Sequence, residues 1–94
     1  MPKLFESITI RKEIIKNRAW VSPMCTYSSN DGMANDWHLV HLGSRAMGGA
    51  GLVMMEATAV SPEGRISPWD MGLWKYKHIE PMKKITNFIK FFKY

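Results

Sequence analysis

The stretch Ser22-Pro23-Met24-Cys25-Thr26-Tyr27-Ser28 places a thiol and a phenol close together in sequence. A thiol is polarizable, and a phenol both donates and accepts a hydrogen bond. Together they suit the edge of a small-molecule or cofactor site. Cys25 is the only cysteine of the chain. It has no partner for an internal disulfide or a zinc site of paired cysteines, and a lone cysteine in apolar surroundings more often packs than reacts. Glu56-Ala57-Thr58 adds a second polar cluster downstream. His38 and His41 have the H-x-x-H spacing of a metal pair, but no third ligand accompanies them, and packing or helix capping suits them better. Trp37, Trp69 and Trp74 flank loops, where a ring either stacks on a ligand or packs against a wall. Neither G-x-G-x-x-G nor a phosphate loop of the G-x-x-x-x-G-K type occurs, and Gly48-Gly49-Ala50-Gly51 follows a helix rather than a strand.

The elements around these residues decide whether they meet. Residues 4–18 read as a short β-hairpin or paired extended segments, with Ile8 and Ile10 alternating with polar neighbours. Residues 19–25 form a candidate strand that Pro23 ends near Ser22–Met24, because proline has no N–H for the ladder. Residues 26–36 are a polar loop with an Asn-Asp-Gly turn signal. A helix follows over about 36–47, with Asn35 or Asp36 as N-cap and Gly48-Gly49 as its stop. Residues 51–60 read as a second strand, continuously apolar over Leu52–Met55, as expected of a parallel strand covered on both faces. Residues 61–74 read as loop. The last helix runs over about 78–92, with Pro81 in its first turn and Ile79, Met82, Ile85 and Ile89 on one face.

Strand, helix and apolar strand make a right-handed βαβ unit of an α/β fold. In parallel sheets, ligands bind at the C-terminal edge of the strands. The stretch 22–28 and the cluster 56–58 both fall there, on one rim. Two parallel strands and two helices do not cover both faces of such a sheet, so it is built to be covered by elements beyond it.

The chain has 94 residues, with 46% hydrophobic and 22% charged, which is ordinary for a globular domain or a piece of one. Its net charge of +5 resides in Lys75, Lys77, Lys83, Lys84, Lys90 and Lys93, opposed by Glu80 alone; residues 1–74 balance to zero. A basic stripe on one helix is a solvated face before it is a phosphate surface, so nucleic acid is not the expected partner. No apolar run is long enough to span a bilayer, and MPKLFESITIRK has no signal-peptide core. A reducing, cytoplasmic setting is expected.

Leu4-Phe5, Ile8-Thr9-Ile10, Lys16-Asn17-Arg18, the 22–28 stretch, Asp36-Trp37-His38-Leu39-Val40-His41, Ser44 through Leu52, Glu56 through Val60, Glu63-Gly64-Arg65-Ile66-Ser67 and Gly72-Leu73-Trp74 come in unbroken order. This ordered set resembles the N-terminal part of the old yellow enzyme family, nearest its bacterial NADPH dehydrogenase (ene-reductase) branch, over about residues 3–90. The resemblance implies the N-terminal portion of a TIM barrel, with FMN at the C-terminal rim and the hairpin plugging the barrel floor. It implies that backbone around Ser22, Pro23, Met24 and Cys25 lines the flavin, that Cys25 tunes its redox potential, that Ala57 touches it, and that Tyr27 faces the substrate. It implies hydride transfer from NADPH or NADH through FMN to an activated alkene such as an enone.

The chain departs from that family in extent. A full barrel takes about 250 residues, and residues 1–94 provide roughly two of its eight strands. The family's third-strand glutamine, its later substrate-anchoring pair, its tyrosine proton donor and its phosphate-binding arginine are not among them. Residues 1–94 are therefore expected to form a partial FMN-binding barrel domain. Its expected partners are a small-molecule alkene and a second copy or a complementary barrel fragment, without nucleic acid or membrane. The alternative is an inactive truncated product or an interaction module that needs a complementary chain.

Overall fold

The computed structural model describes residues 2–92; Lys93 and Tyr94 of the expected basic tail lie outside them. A short 3-10 turn over Lys3–Phe5 leads into β1 (Ile8–Ile10) and β2 (Glu13–Ile15). These pair antiparallel with Ile8 opposite Ile15 and Ile10 opposite Glu13, joined by a tight turn in which Arg11 takes φ 55°. The hairpin is the expected one. Asn17 fastens it to the next unit: its side-chain amide donates to Gly49 O at 2.8 Å, and its Oδ1 accepts from Ala19 N at 3.0 Å. Gly51 is required there, since a Cβ would meet Asn17 O at 2.7 Å.

The βαβ unit follows as β3 (Trp20–Val21), α1 (Asp36–Met47) and β4 (Leu52–Val53). The strands are parallel, with Trp20 opposite Leu52 and Val21 opposite Val53. Both are shorter than their apolar runs predict. Met54 is exposed, and Leu52, Val53 and Met55 are only half-buried, so the second strand is not covered on both faces. Among the described residues β4 pairs on one edge only.

Of the two candidate N-caps of α1, Asn35 is the one used: its Oδ1 accepts from Trp37 N at 2.9 Å, while Asp36 starts the helix and favours its positive end. Gly48 caps the C-terminus, and Gly49 turns away at φ 107°. The Asn30-Asp31-Gly32 signal becomes a tight turn with φ 53° at Asp31 and 72° at Gly32. Glycine is also demanded at 32 by space, because a Cβ would lie 2.9 Å from His78 Nε2.

The second strand expected over 51–60 is broken after Val53, and its last part pairs instead with a short strand inside the segment 61–74 expected as loop. β5 (Thr58–Ala59) and β6 (Met71–Gly72) run parallel, with Thr58 opposite Met71. The side chain of Asp70 draws the preceding turn closed, accepting from Ile66 N at 2.7 Å and Ser67 Oγ at 2.8 Å. That turn delivers Met71 into the core at 0% exposure. A two-residue strand has no periodicity, which is why the sequence conceals it.

The final helix α2 (Ile79–Lys90) follows a 3-10 turn over Tyr76–His78. Its apolar face packs as expected, with Ile85 buried and Met82 and Ile89 half-buried, whereas Ile79 stays exposed. Ala34, Leu42, Met71 and Ile85 form the core between α1, α2 and β4. No closed barrel forms among the described residues: the strands make three separate pairs.

Candidate functional site

The parallel register of β3 and β4 brings the segments after Val21 and Val53 to one rim. The described contacts fasten them there. Thr26 Oγ1 donates to Glu56 Oε2 at 2.7 Å, and Thr26 N–H to Glu56 Oε1 at 3.4 Å. Ser28 Oγ closes back on Thr26 O at 2.9 Å, and Asn35 Nδ2 donates to Ser28 O at 2.8 Å. The segment carrying Cys25 and Tyr27 is thus bound to β4's end and to the cap of α1.

On this rim Ser22, Pro23, Met24 and Ala57 are exposed and Cys25 is half-buried. Tyr27 is 51% exposed and adopts φ 52°, a left-handed conformation unfavourable for an aromatic residue. No described residue bonds the backbone N–H of Met24, Cys25 or Ala57. Free N–H donors beside exposed Met24, Tyr27 and Met54 suit a flat, partly apolar ring with polar edges. The flavin ring fits that description, and the donor set of this rim fits the ring rather than its phosphate.

Behind the rim lies a buried network that the sequence analysis reached only as a capping role for His38. His38 is fully buried. Its Nδ1 accepts from Asn35 N at 3.0 Å, so the ring proton sits on Nε2, facing Ser29 Oγ at 3.2 Å and Glu56 Oε2 at 4.0 Å. His41 points elsewhere and stacks on Trp37 with centroids 5.8 Å apart, so the H-x-x-H pair does not converge. Burial holds the His38 imidazole below its ordinary 6.5, against the pull of Glu56 and with a smaller push from His41.

His78, which carries no motif in the sequence, repeats the device. Its Nδ1 accepts from Trp74 N at 3.1 Å, and its Nε2–H donates to Asp31 O at 2.9 Å. Lys75 pairs with the Asp31 side chain across the same turn. Two histidines each stand three residues after a helix cap residue, Asn35 or Lys75, and that spacing is the signal in the sequence.

The depressed titration of His38 has a testable sign. As pH falls below about 6.5 the unfolded chain takes up a proton that the folded chain refuses, because burial disfavours the charged ring, and a protonated Nδ1 would also lose the Asn35 N–H. The His38 contribution is complete above that pH and declines as the pH drops toward the folded-state value. Asp31 adds a loss further down: the Lys75 hydrogen bond holds its carboxyl below 3.8, so that contribution goes as Asp31 protonates. Thermal melts from about pH 7 to about pH 5 should show a falling midpoint. His38→Asn should start lower and vary less over the same range; an equal slope would clear His38 of the effect.

The fold and the rim together define a mixed α/β chain built on one parallel βαβ unit, with polar groups gathered past the ends of its strands. The sequence model of the NADH:flavin oxidoreductase / NADH oxidase family matches residues 3–93, and the chain belongs to that family, the old yellow enzyme family. It is 54% identical over 86 residues to an NADH:flavin oxidoreductase of Gibberella zeae, covering 92% of this chain and 21% of that protein. It is 53% identical over 90 residues to an NADPH dehydrogenase of Bacillus cytotoxicus, covering 94% of this chain and 26% of the other. Among solved structures, the old yellow enzyme homologue from Zymomonas mobilis superposes with TM-score 0.85 at 29% identity, over 97% of this chain and 25% of that one. Morphinone reductase in complex with tetrahydroNAD shares the fold, with TM-score 0.88 at 24% identity, over 98% and 25%. The chain thus spans about a quarter of the length of these relatives. Among the described residues no helix is long and apolar enough to cross a membrane.

Proposed function

We propose that residues 1–94 are the flavin-facing N-terminal part of an FMN-dependent NAD(P)H oxidoreductase that reduces activated alkenes. The observation that carries this reading is the rim: Cys25 and Tyr27 stand on a segment bound to Glu56, beside unpaired N–H groups of Met24, Cys25 and Ala57. Bound FMN would supply the hydride chemistry, accepting from NADPH or NADH and passing to an enone. The backbone around Ser22, Pro23, Met24 and Cys25 lines the ring edge, with the N–H groups of Met24 and Cys25 as donors, and Ala57 lies against it. The Cys25 thiol tunes the electronics of the ring from close by. The Tyr27 hydroxyl donates to a substrate carbonyl and orients the alkene. The basic face of α2 stays in solvent and takes no nucleic acid, and the setting is cytoplasmic.

The experiment is a graft in which residues 1–94 replace the matched segment of the Bacillus cytotoxicus NADPH dehydrogenase. The chimera should purify with FMN and oxidise NADPH in the presence of an enone. Cys25→Ala should shift the flavin midpoint potential while leaving FMN bound. Tyr27→Phe should slow the alkene half-reaction only. A folded chimera without flavin, or an unchanged potential in Cys25→Ala, would overturn the assignment.

A second reading, an interaction module completed by a complementary chain, is favoured by one feature. A groove of about 280 Å³ lies between the hairpin, β4 and α2, lined by Ile14, Ile15, Leu52, Val53 and Ile89, and among the described residues β4 pairs on one edge only. A parallel apolar strand suits it.

A further inference from the structure

We infer that Glu56 is a positioning residue, whose carboxylate grips Thr26 and thereby sets how Cys25 and Tyr27 face the strand rim. The inference rests on the reading of residues 22–27 as flavin-facing, but its test does not use flavin.

All three polar backbone and side-chain positions of Thr26 are held. Its N–H and Oγ1 go to the two oxygens of Glu56, and its carbonyl accepts from Ser28 Oγ at 2.9 Å. The residue between Cys25 and Tyr27 therefore has no freedom to rotate. Immediately after it, Tyr27 sits at φ 52°. A bulky residue keeps such a conformation only where its surroundings over-determine it. The grip of Glu56 is the restraint that meets that need.

Glu56 is itself fixed. It is only 7% exposed, and its carboxylate stands 4.0 Å from the Nε2–H of buried His38. The backbone on its own side is tied by Thr58 Oγ1, which donates to Glu56 O at 2.9 Å. His38 in turn is locked by the Asn35 N–H on its other nitrogen. The carboxylate thus links the end of β4 and the start of α1 to the segment after β3. A buried carboxylate without these donors would be costly, so the arrangement holds as a unit. Glu56 and His38, the centre of the unit, are buried, which separates positioning from direct contact.

The test uses residues 1–94 and two flavin-free readouts. One is the rate at which iodoacetamide alkylates Cys25. The other is the strong intraresidue HN–Hα nuclear Overhauser effect that marks a positive φ at Tyr27. Thr26→Val removes the hydroxyl at nearly constant shape and should raise the alkylation rate about tenfold, as expected for losing a charge-assisted hydrogen bond. It should also weaken the Tyr27 signature. Glu56→Met should do the same at similar volume. Thr26→Ser keeps the hydroxyl and should retain both wild-type values, which a merely volume-filling threonine would not require. Unchanged rates and an intact Tyr27 signature in folded Thr26→Val would overturn the inference, and that variant decides if Glu56→Met does not fold. A chimera without FMN, alongside altered readouts in Thr26→Val, would sink the functional reading and leave the positioning role of Glu56 standing.

Discussion

Ile85→Ala should cost about 2–5 kcal/mol and remove from a large part to all of the chain's stability near room temperature. Ile85 is 1% exposed and sits where α2 meets Leu42 of α1 and Met71 after the 66–70 turn. Among the described residues, Ala34, Leu42 and Met71 share the buried cluster with it. Removing the side chain leaves a cavity at the centre of the contact between the two helices, and collapse onto it would disturb Leu39, Val53, Met55, Met82 and Ile89 packed around the cluster. Domains of this length hold about 5–14 kcal/mol in total at 0.05–0.15 kcal/mol per residue, and an open sheet belongs at the low end. Urea denaturation followed by far-UV circular dichroism measures the change. Phe91→Ala, at an exposed position after the helix, should stay within about 0.5 kcal/mol of the parent. Equal effects of the two substitutions would mean that the α1–α2 core does not govern stability.

The parts of this molecule that the sequence made legible are those set by local physics. The period of α1, the polar residue before it and Gly48-Gly49 after it are enough to bound the helix, since caps and stops act within one turn. The parallel relation of β3 and β4 follows from the helix between them, and the shared rim follows from parallelism. The remainder depends on contacts distant along the chain. Thr26 and Glu56 meet across 30 positions, and no local pattern announces that Thr26, rather than its neighbour Ser28, takes the carboxylate. The left-handed Tyr27 runs against the preference of an aromatic residue, so propensity points away from it. The β5–β6 pairing is hidden because each strand is two residues long and its partner is supplied by the Asp70 turn. His78 resembles any helix-proximal histidine until Gly32 leaves room for it beneath Trp74.

Residues 1–94 supplied with excess FMN, NADPH and an enone should consume NADPH no faster than a protein-free blank. The reason lies in how a barrel divides its work between segments. In the proposed reading the rim of β3 and β4 offers donors to the flavin ring, but TIM barrels hold a phosphate with the loops after strands seven and eight. Each charge-assisted hydrogen bond to that phosphate contributes about 1.5–3 kcal/mol, so a ring platform alone holds FMN weakly. The same residues leave Met54, Trp20 and Met24 exposed at the sheet and one edge of β4 unpaired. Exposed apolar strands and open edges favour association over a monomer. Light scattering should therefore show residues 1–94, expressed alone, associating as their concentration rises. Co-expression with the part of the Bacillus cytotoxicus NADPH dehydrogenase that the match leaves out should give soluble, yellow, NADPH-oxidising protein, as the parallel groove beside Leu52 and Val53 is filled. Turnover with bound flavin in a monodisperse sample of residues 1–94 would show that the rim suffices for cofactor and chemistry together.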